Sequence, residues 1–179
     1  MRYTLASSQV RSSFEIQPDH SGDKGTFALT LVPPVAETST RPARDIVLLL
    51  NCSGSMSFSK MVCARRTCIR LVELLQEQDR FVVYTFNNHI FTALGFEKGL
   101  MPATYVQRKK AIQFLEKIFA NAGTEIFPAL QRAVVQLTKV NNSLDTRNKH
   151  IILITDGQVA NERQIVRELG NHLKPIRLH

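Results

Sequence analysis

The sequence predicts an α/β fold in which a doubly wound, mostly parallel sheet carries helices on both faces. Three observations predict it. From Asp45 onward, short apolar runs alternate with amphipathic stretches of helical period. Two of those runs, Ile46 to Leu50 and Ile151 to Thr155, contain no charged residue, as strands buried on both faces of a parallel sheet require. Small polar clusters also fall at the ends of these runs, where open sheets of this class bind ligands.

The first 44 residues differ from the rest and read as an amino-terminal β segment and linker, with the α/β domain spanning 45–179. Ser12 to Gln17 and Thr26 to Val32 form two short strands, separated by turn-forming Pro18-Asp19 and Ser21-Gly22-Asp23. Phe27, Leu29 and Leu31 alternate with smaller or polar residues, the pattern of a half-buried strand. Pro33-Pro34 ends it, and Val35 to Arg44 is a polar linker. A hairpin alone is marginal, so a surface to lie against is expected.

In the domain itself, Ile46 to Leu50 is the first strand. A helix from about Ser59 to Gln78 follows, with Cys68, Ile69, Val72 and Leu75 on one face. Phe81 to Phe86 is the next strand, and His89 to Leu94 its hairpin partner after Asn87-Asn88. Thr104 to Phe119 reads as a helix burying Ile112, Leu115, Ile118 and Phe119. Pro128 suits the first position of another, carrying Leu130, Val134 and Leu137. Ile151 to Thr155 is a further buried strand. Asn161 with Gln164 makes a capping box for a helix through His172, and Ile176 to Leu178 starts a last strand.

Length and composition bound the rest. A chain of 179 residues with 44% apolar content is large enough for a self-sufficient core and too apolar to be disordered. No apolar stretch approaches the ~20 residues of a membrane span. Met1 to Gln17 has no apolar signal core, and three cysteines without a CxxC cannot all pair internally. Reduced thiols and a cytoplasmic setting are expected, unless the chain is cut from a secreted protein. The net charge of +8 is spread over helix faces and forms no basic tail. A solvated basic surface is the simpler reading than a nucleic-acid site, because no aromatic-rich strand offers a stacking platform.

Three polar clusters carry the candidate chemistry. Asn51-Cys52-Ser53-Gly54-Ser55 follows the first strand, Gly123-Thr124 precedes the Pro128 helix, and Asp156-Gly157 follows the strand at Ile151. Hydroxyls with one carboxylate are weak catalysts but good ligands for a hard cation such as Mg2+, which prefers six oxygens and few carboxylates. Enzyme motifs are missing: there is no GxGxxG, no GxxxxGK[ST], no GxSxG around Ser53 and no HExxH.

The run from Asp45 to Met56 resembles the opening of a von Willebrand factor type A domain, and the resemblance extends over about Asp45 to His179. That family writes its metal-ion-dependent adhesion site as Asp-x-Ser-x-Ser, then a distant Thr, then a distant Asp. Ser53, Ser55, Thr124 and Asp156 match in order and spacing. Phe27 to Pro34 resembles the lead-in of inter-alpha-trypsin-inhibitor heavy-chain-like members. The resemblance implies a Rossmann-like fold with a further strand and helix beyond Ile176, so the domain reads as truncated at its carboxyl end, with reduced stability or self-association expected. It also implies that the serines and threonine hold the metal and that the acids act largely through water.

The departure is Asn51, where the family has its first aspartate. Asn keeps a carbonyl oxygen, removes a negative charge and adds an NH2 donor, so metal affinity is expected to fall and the site to be weakened or vestigial. Each residue also has a structural explanation. Ser55, Ser57 or Ser59 suits a helix cap, Asp156 a turn, Asn51 a loop hydrogen bond and Cys52 core packing. Cys63 and Cys68 lie five apart on one helix and do not face each other for a bridge.

The leading functional reading is a non-enzymatic protein-interaction or adhesion module. In it Asn51, Ser53, Ser55, Thr124 and Asp156 surround Mg2+, or Mn2+ or Ca2+, and a partner's Asp or Glu completes the coordination. The loops Met56 to Phe58 and Gln158 to Asn161 would set specificity. The alternatives are a metal-independent scaffold and, behind it, a basic surface for nucleic acid.

Overall fold

The computed structural model describes residues 11–19, 24–32, 41–121, 123–139, 147–157 and 162–179. The chain divides into two compact units, 1–41 and 42–179.

In the first unit β1 (Arg11–Pro18) and β2 (Gly25–Val32) pair antiparallel, with Phe14 opposite Leu29 and Ile16 opposite Phe27. Opposite residues in an antiparallel pair share a face, so the alternation puts these four on one side. The Phe14 and Phe27 rings lie 5.7 Å apart. The expected half-burial of β2 is not found: Phe27, Leu29 and Leu31 are all more than half exposed. Alternation reports which face is apolar, not what covers it.

The second unit is a six-stranded sheet in the order β5-β4-β3-β7-β8, with β6 also against β4. Its strands are β3 (Arg44–Asn51), β4 (Arg80–Phe86), β5 (Ile90–Thr92), β6 (Met101–Pro102), β7 (Asn148–Ile154) and β8 (Ile176–Leu178). β3 pairs parallel with β4 and β7, and β7 with β8, while β5 and β6 run antiparallel to β4. The doubly wound expectation holds. The steps from β3 to β4 and from β4 to β7 run in opposite directions across the sheet, so right-handed crossovers place their helices on opposite faces. One crossover carries α1 (Ser59–Glu73) and the other α3 (Ile126–Thr138); α2 (Tyr105–Glu116) packs on α1, and α4 (Glu162–Leu173) on α3.

β3 is the spine of the core: Asp45 to Asn51 are all buried. Met61, Ala64, Cys68 and Val72 of α1 pack toward it, and Ala129, Leu130, Ala133 and Leu137 line the buried stripe of α3. At the foot of the sheet two carboxylates are paired with arginines. Asp79 accepts from Arg44 Nη2 at 2.6 Å, and Asp45 from Arg80 Nη2 at 2.6 Å.

Local details depart from the periodicity. α1 ends at Glu73 rather than near Gln78, leaving Leu75 buried in the following turn. Pro128 is the third residue of α3, not its first, with Glu125 at the cap. α2 ends at Glu116, so Phe119 falls out of phase with the buried stripe and is 72% exposed, at the rim of a cleft of about 240 Å³ beside Cys52. In β7 only Ile151 is fully buried, the other six residues being partly exposed. The proposed capping residue Asn161 and the loop Gln158 to Asn161 lie outside the described residues.

Candidate functional site

The site forms where strand order reverses, at the carboxyl ends of β3 and β7. β3 runs out at Asn51, whose side chain is fully buried. Its Oδ1 accepts from the Ser53 backbone N–H at 2.9 Å, and its Nδ2 donates to Thr155 Oγ1 at 3.1 Å. The first contact is an Asx turn, the loop-stabilising role open to Asn at such a position. The second ties the end of β3 to the residue before Asp156.

From Ser53 the chain enters a short 3-10 turn, Gly54–Met56, which lifts Ser55 above the strand end. Ser53 Oγ and Ser55 Oγ lie 2.9 Å apart, with Ser53 buried and Ser55 exposed. Neither serine caps α1, whose cap position is Phe58. Asp156 joins from β7. Its side chain is 10% exposed, and its acidity is enhanced chiefly by a hydrogen bond from Ser55, then by Lys60. Asp156 Oδ1 is buried with no hydrogen-bond partner among the described residues. An ionised oxygen left this way is costly and marks a place for a cation or water.

Thr124 stands in the loop before α3, exposed, and no hydrogen bond among the described residues ties it to the other four. Its loop is nevertheless fastened to the same end of the sheet. Asn121 N–H donates to the Cys52 carbonyl at 2.7 Å, Asn87 Nδ2 to the Asn121 carbonyl at 3.3 Å, and Glu125 N–H to the Asn87 carbonyl at 3.0 Å. A Cβ at Gly123 would come within 2.5 Å of Asn88 Oδ1, so a larger residue there requires the Asn88 side chain to move. Hydrogen bonds thus link Asn51, Ser53 and Ser55 in a chain, Lys60 joins Asp156 to the Ser55 backbone, and Thr124 stands in a loop fastened to the same end of the sheet.

Cys52 is packing. Burial pushes its thiol up to about 11, and its Sγ lies 3.6 Å from the Leu50 carbonyl oxygen. Cys68 is likewise buried, with its thiol pushed up to about 12, and Cys63 is exposed. Among the described residues no group of three or more His, Cys, Asp or Glu is placed to hold a metal. The available donors are therefore two hydroxyls, one carboxylate and Thr124, a set suited to a hard cation.

Two residues of the site escaped the sequence reading. Thr155 gave no separate signal, being the polar end of an apolar strand. Lys60 had one: it is a cation in the first turn of a helix, against the helix dipole, a few residues past the serine pair. Its Nζ lies 3.2 Å from Asp156 Oδ2 and 3.2 Å from the Ser55 carbonyl oxygen.

Comparison with known proteins identifies the family and the fold. The family model of the von Willebrand factor type A domain matches residues 45–176. Human inter-alpha-trypsin inhibitor heavy chain H2 is 34% identical over 117 residues, covering 64% of this chain and 12% of its own length. Mouse inter alpha-trypsin inhibitor heavy chain 4 is 28% identical over 160 residues, covering 88% of this chain and 16% of its own. The chain thus spans less than a fifth of either relative. A solved von Willebrand factor type A structure from Catenulispora acidiphila superposes with a TM-score of 0.66 at 20% identity, over 97% of this chain and 36% of that one.

Proposed function

The chain belongs to the von Willebrand factor type A domain family, a family of protein-interaction modules, and we propose that it is a non-enzymatic binding module that recognises an acidic residue of a partner protein. The recognition site is the cluster at the ends of β3 and β7. Ser53, Ser55 and Thr124 would hold a divalent cation, Mg2+ by preference, with Asp156 and Asn51 acting through water. The bound cation would supply the positive charge that a partner's Asp or Glu neutralises. Asn51 orients the Ser53 backbone, and Ser55 makes Asp156 more acidic.

The observation that carries this reading is Asp156 Oδ1, buried without a hydrogen-bond partner among the described residues. With one carboxylate instead of two, affinity is expected to be weak. Calorimetric titration with Mn2+ and Mg2+ tests it: weak binding by the native chain, lost in Asp156→Ala, is the expected result. Retention of equal binding in that variant removes the site.

A second reading, a metal-independent scaffold, is favoured by one observation. Asp156 already has a cationic neighbour in Lys60. Partner binding unaffected by chelator would select it. Among the described residues no helix is long and apolar enough to cross a membrane.

A further inference from the structure

We propose that Lys60 is the resident cation of this site: its ammonium competes with a divalent ion for Asp156 and sets how tightly metal is held. The inference rests on the metal-site reading above. Lys60 Nζ bridges Asp156 Oδ2 and the Ser55 carbonyl oxygen, both at 3.2 Å. It therefore touches the cluster's lone carboxylate and the backbone of its outer serine at once. An ammonium has three donors, and these two contacts leave one for solvent or an incoming carboxylate.

Charge balance explains why a lysine serves here. Asn51 contributes no charge, so Asp156 is the single anion among the five candidate ligands. One monocation neutralises it, whereas a divalent ion leaves a net charge near +1, close to the positive end of α1. Removing the carboxylate that an aspartate at position 51 would bring favours the lysine over the metal. The position of Lys60 supports the same conclusion. It is the second residue of α1, and no acidic residue stands in that first turn. A cation there is disfavoured by the helix dipole, and the contact with Asp156 offsets that cost. The side chain is 57% exposed, so it can swing into solvent when a metal arrives.

The lysine thereby gates the site. With Lys60 on Asp156 the cluster is closed by an internal cation whose spare donor can meet a partner carboxylate directly. With metal bound, the ammonium is repelled and leaves.

Four proteins test this by Mn2+ titration calorimetry: the native chain, Lys60→Met, Asn51→Asp and the double variant, each checked for folding by its thermal transition. The expected result is up to about fivefold tighter Mn2+ binding on removing Lys60, with or without the Asn51→Asp substitution, because the ion no longer has to break an exposed lysine–carboxylate pair to reach Asp156. If Asn51→Asp binds Mn2+ and Lys60→Met changes affinity in neither background, the metal reading stands and the lysine proposal is overturned. If no protein binds, the double variant included, the metal reading fails and takes the competition with it.

Discussion

Asn51 Nδ2 donates to Thr155 Oγ1 across 3.1 Å, so the last residue of β3 is tied to the residue that precedes Asp156. Asn51→Asp deletes that donor and puts a second carboxylate in a fully buried position. Without metal the variant is expected to lose about 1 kcal/mol of stability, the cost of a buried charge that the Thr155 hydroxyl offsets only in part by donating to it. With Mn2+ it is expected to regain it, and to bind the ion at least tenfold more tightly, since ligand charge governs affinity for hard cations. Thermal melts with Mn2+ and with EDTA, set beside the native chain, measure both effects.

Phe58 has φ 60° and ψ −129°, a backbone conformation that glycine adopts freely and other residues avoid. Its side chain is 91% exposed, so replacement removes no core contact. Phe58→Gly is therefore expected to stabilise the chain by about 1 kcal/mol. Urea denaturation of the two proteins measures it, and an unchanged or lower midpoint contradicts the strain.

Asp79 lies at the opposite end of the sheet, fully buried, accepting from Arg44 Nε and Nη2, the Arg44 N–H and the Gln76 N–H. Burial works against its ionisation, but the Arg44 side chain and the two backbone donors outweigh it and hold the carboxyl below its usual range. A depressed folded value means the stabilisation is present above the unfolded pKa of about 3.9 and is lost as pH falls through the folded value. Asp79→Asn is expected to cost about 3 kcal/mol at neutral pH by leaving the Arg44 guanidinium without its counter-ion. The difference between the two proteins should shrink below about pH 4. Denaturation midpoints between pH 2 and 7 follow the change.

Cys63 is exposed, whereas Cys52 and Cys68 are buried with thiols pushed up to about 11 and about 12. At pH 8 a thiol-specific reagent is expected to modify Cys63 rapidly. The other two should react only as the chain unfolds, because both access and the thiolate form are denied them. Mass spectrometry of the native and urea-unfolded chain counts the adducts.

Much of the fold was legible because its signals are local. The charge-free run Ile46 to Leu50, the helical spacing of Cys68 and Val72, and the Asn-Asn turn before β5 each state their element within a few residues. Phe119 and β2 misled for a related reason: periodicity marks an apolar face without saying whether a helix reaches that far or whether another layer covers the face. Of the candidate ligands, Ser53, Ser55, Thr124 and Asp156 stood out through a motif resemblance spread over more than a hundred residues. Spacing alone did not decide whether Asn51 was a ligand or a loop anchor.

The sequence by itself determined the alternation of strands and helices, the polar residues at the strand ends and the loss of one carboxylate at position 51. These are properties of neighbours along the chain. The tertiary structure alone decided that Asn51 spends both ends of its amide on Ser53 and Thr155, and that Lys60 reaches Asp156 across 96 positions of sequence. Those contacts follow from the parallel register of β3 with β7 and from the direction in which α1 leaves the serine turn. A hydrogen bond or ion pair depends on separations of about 3 Å, and only the assembled sheet sets separations that small between residues so distant in the chain.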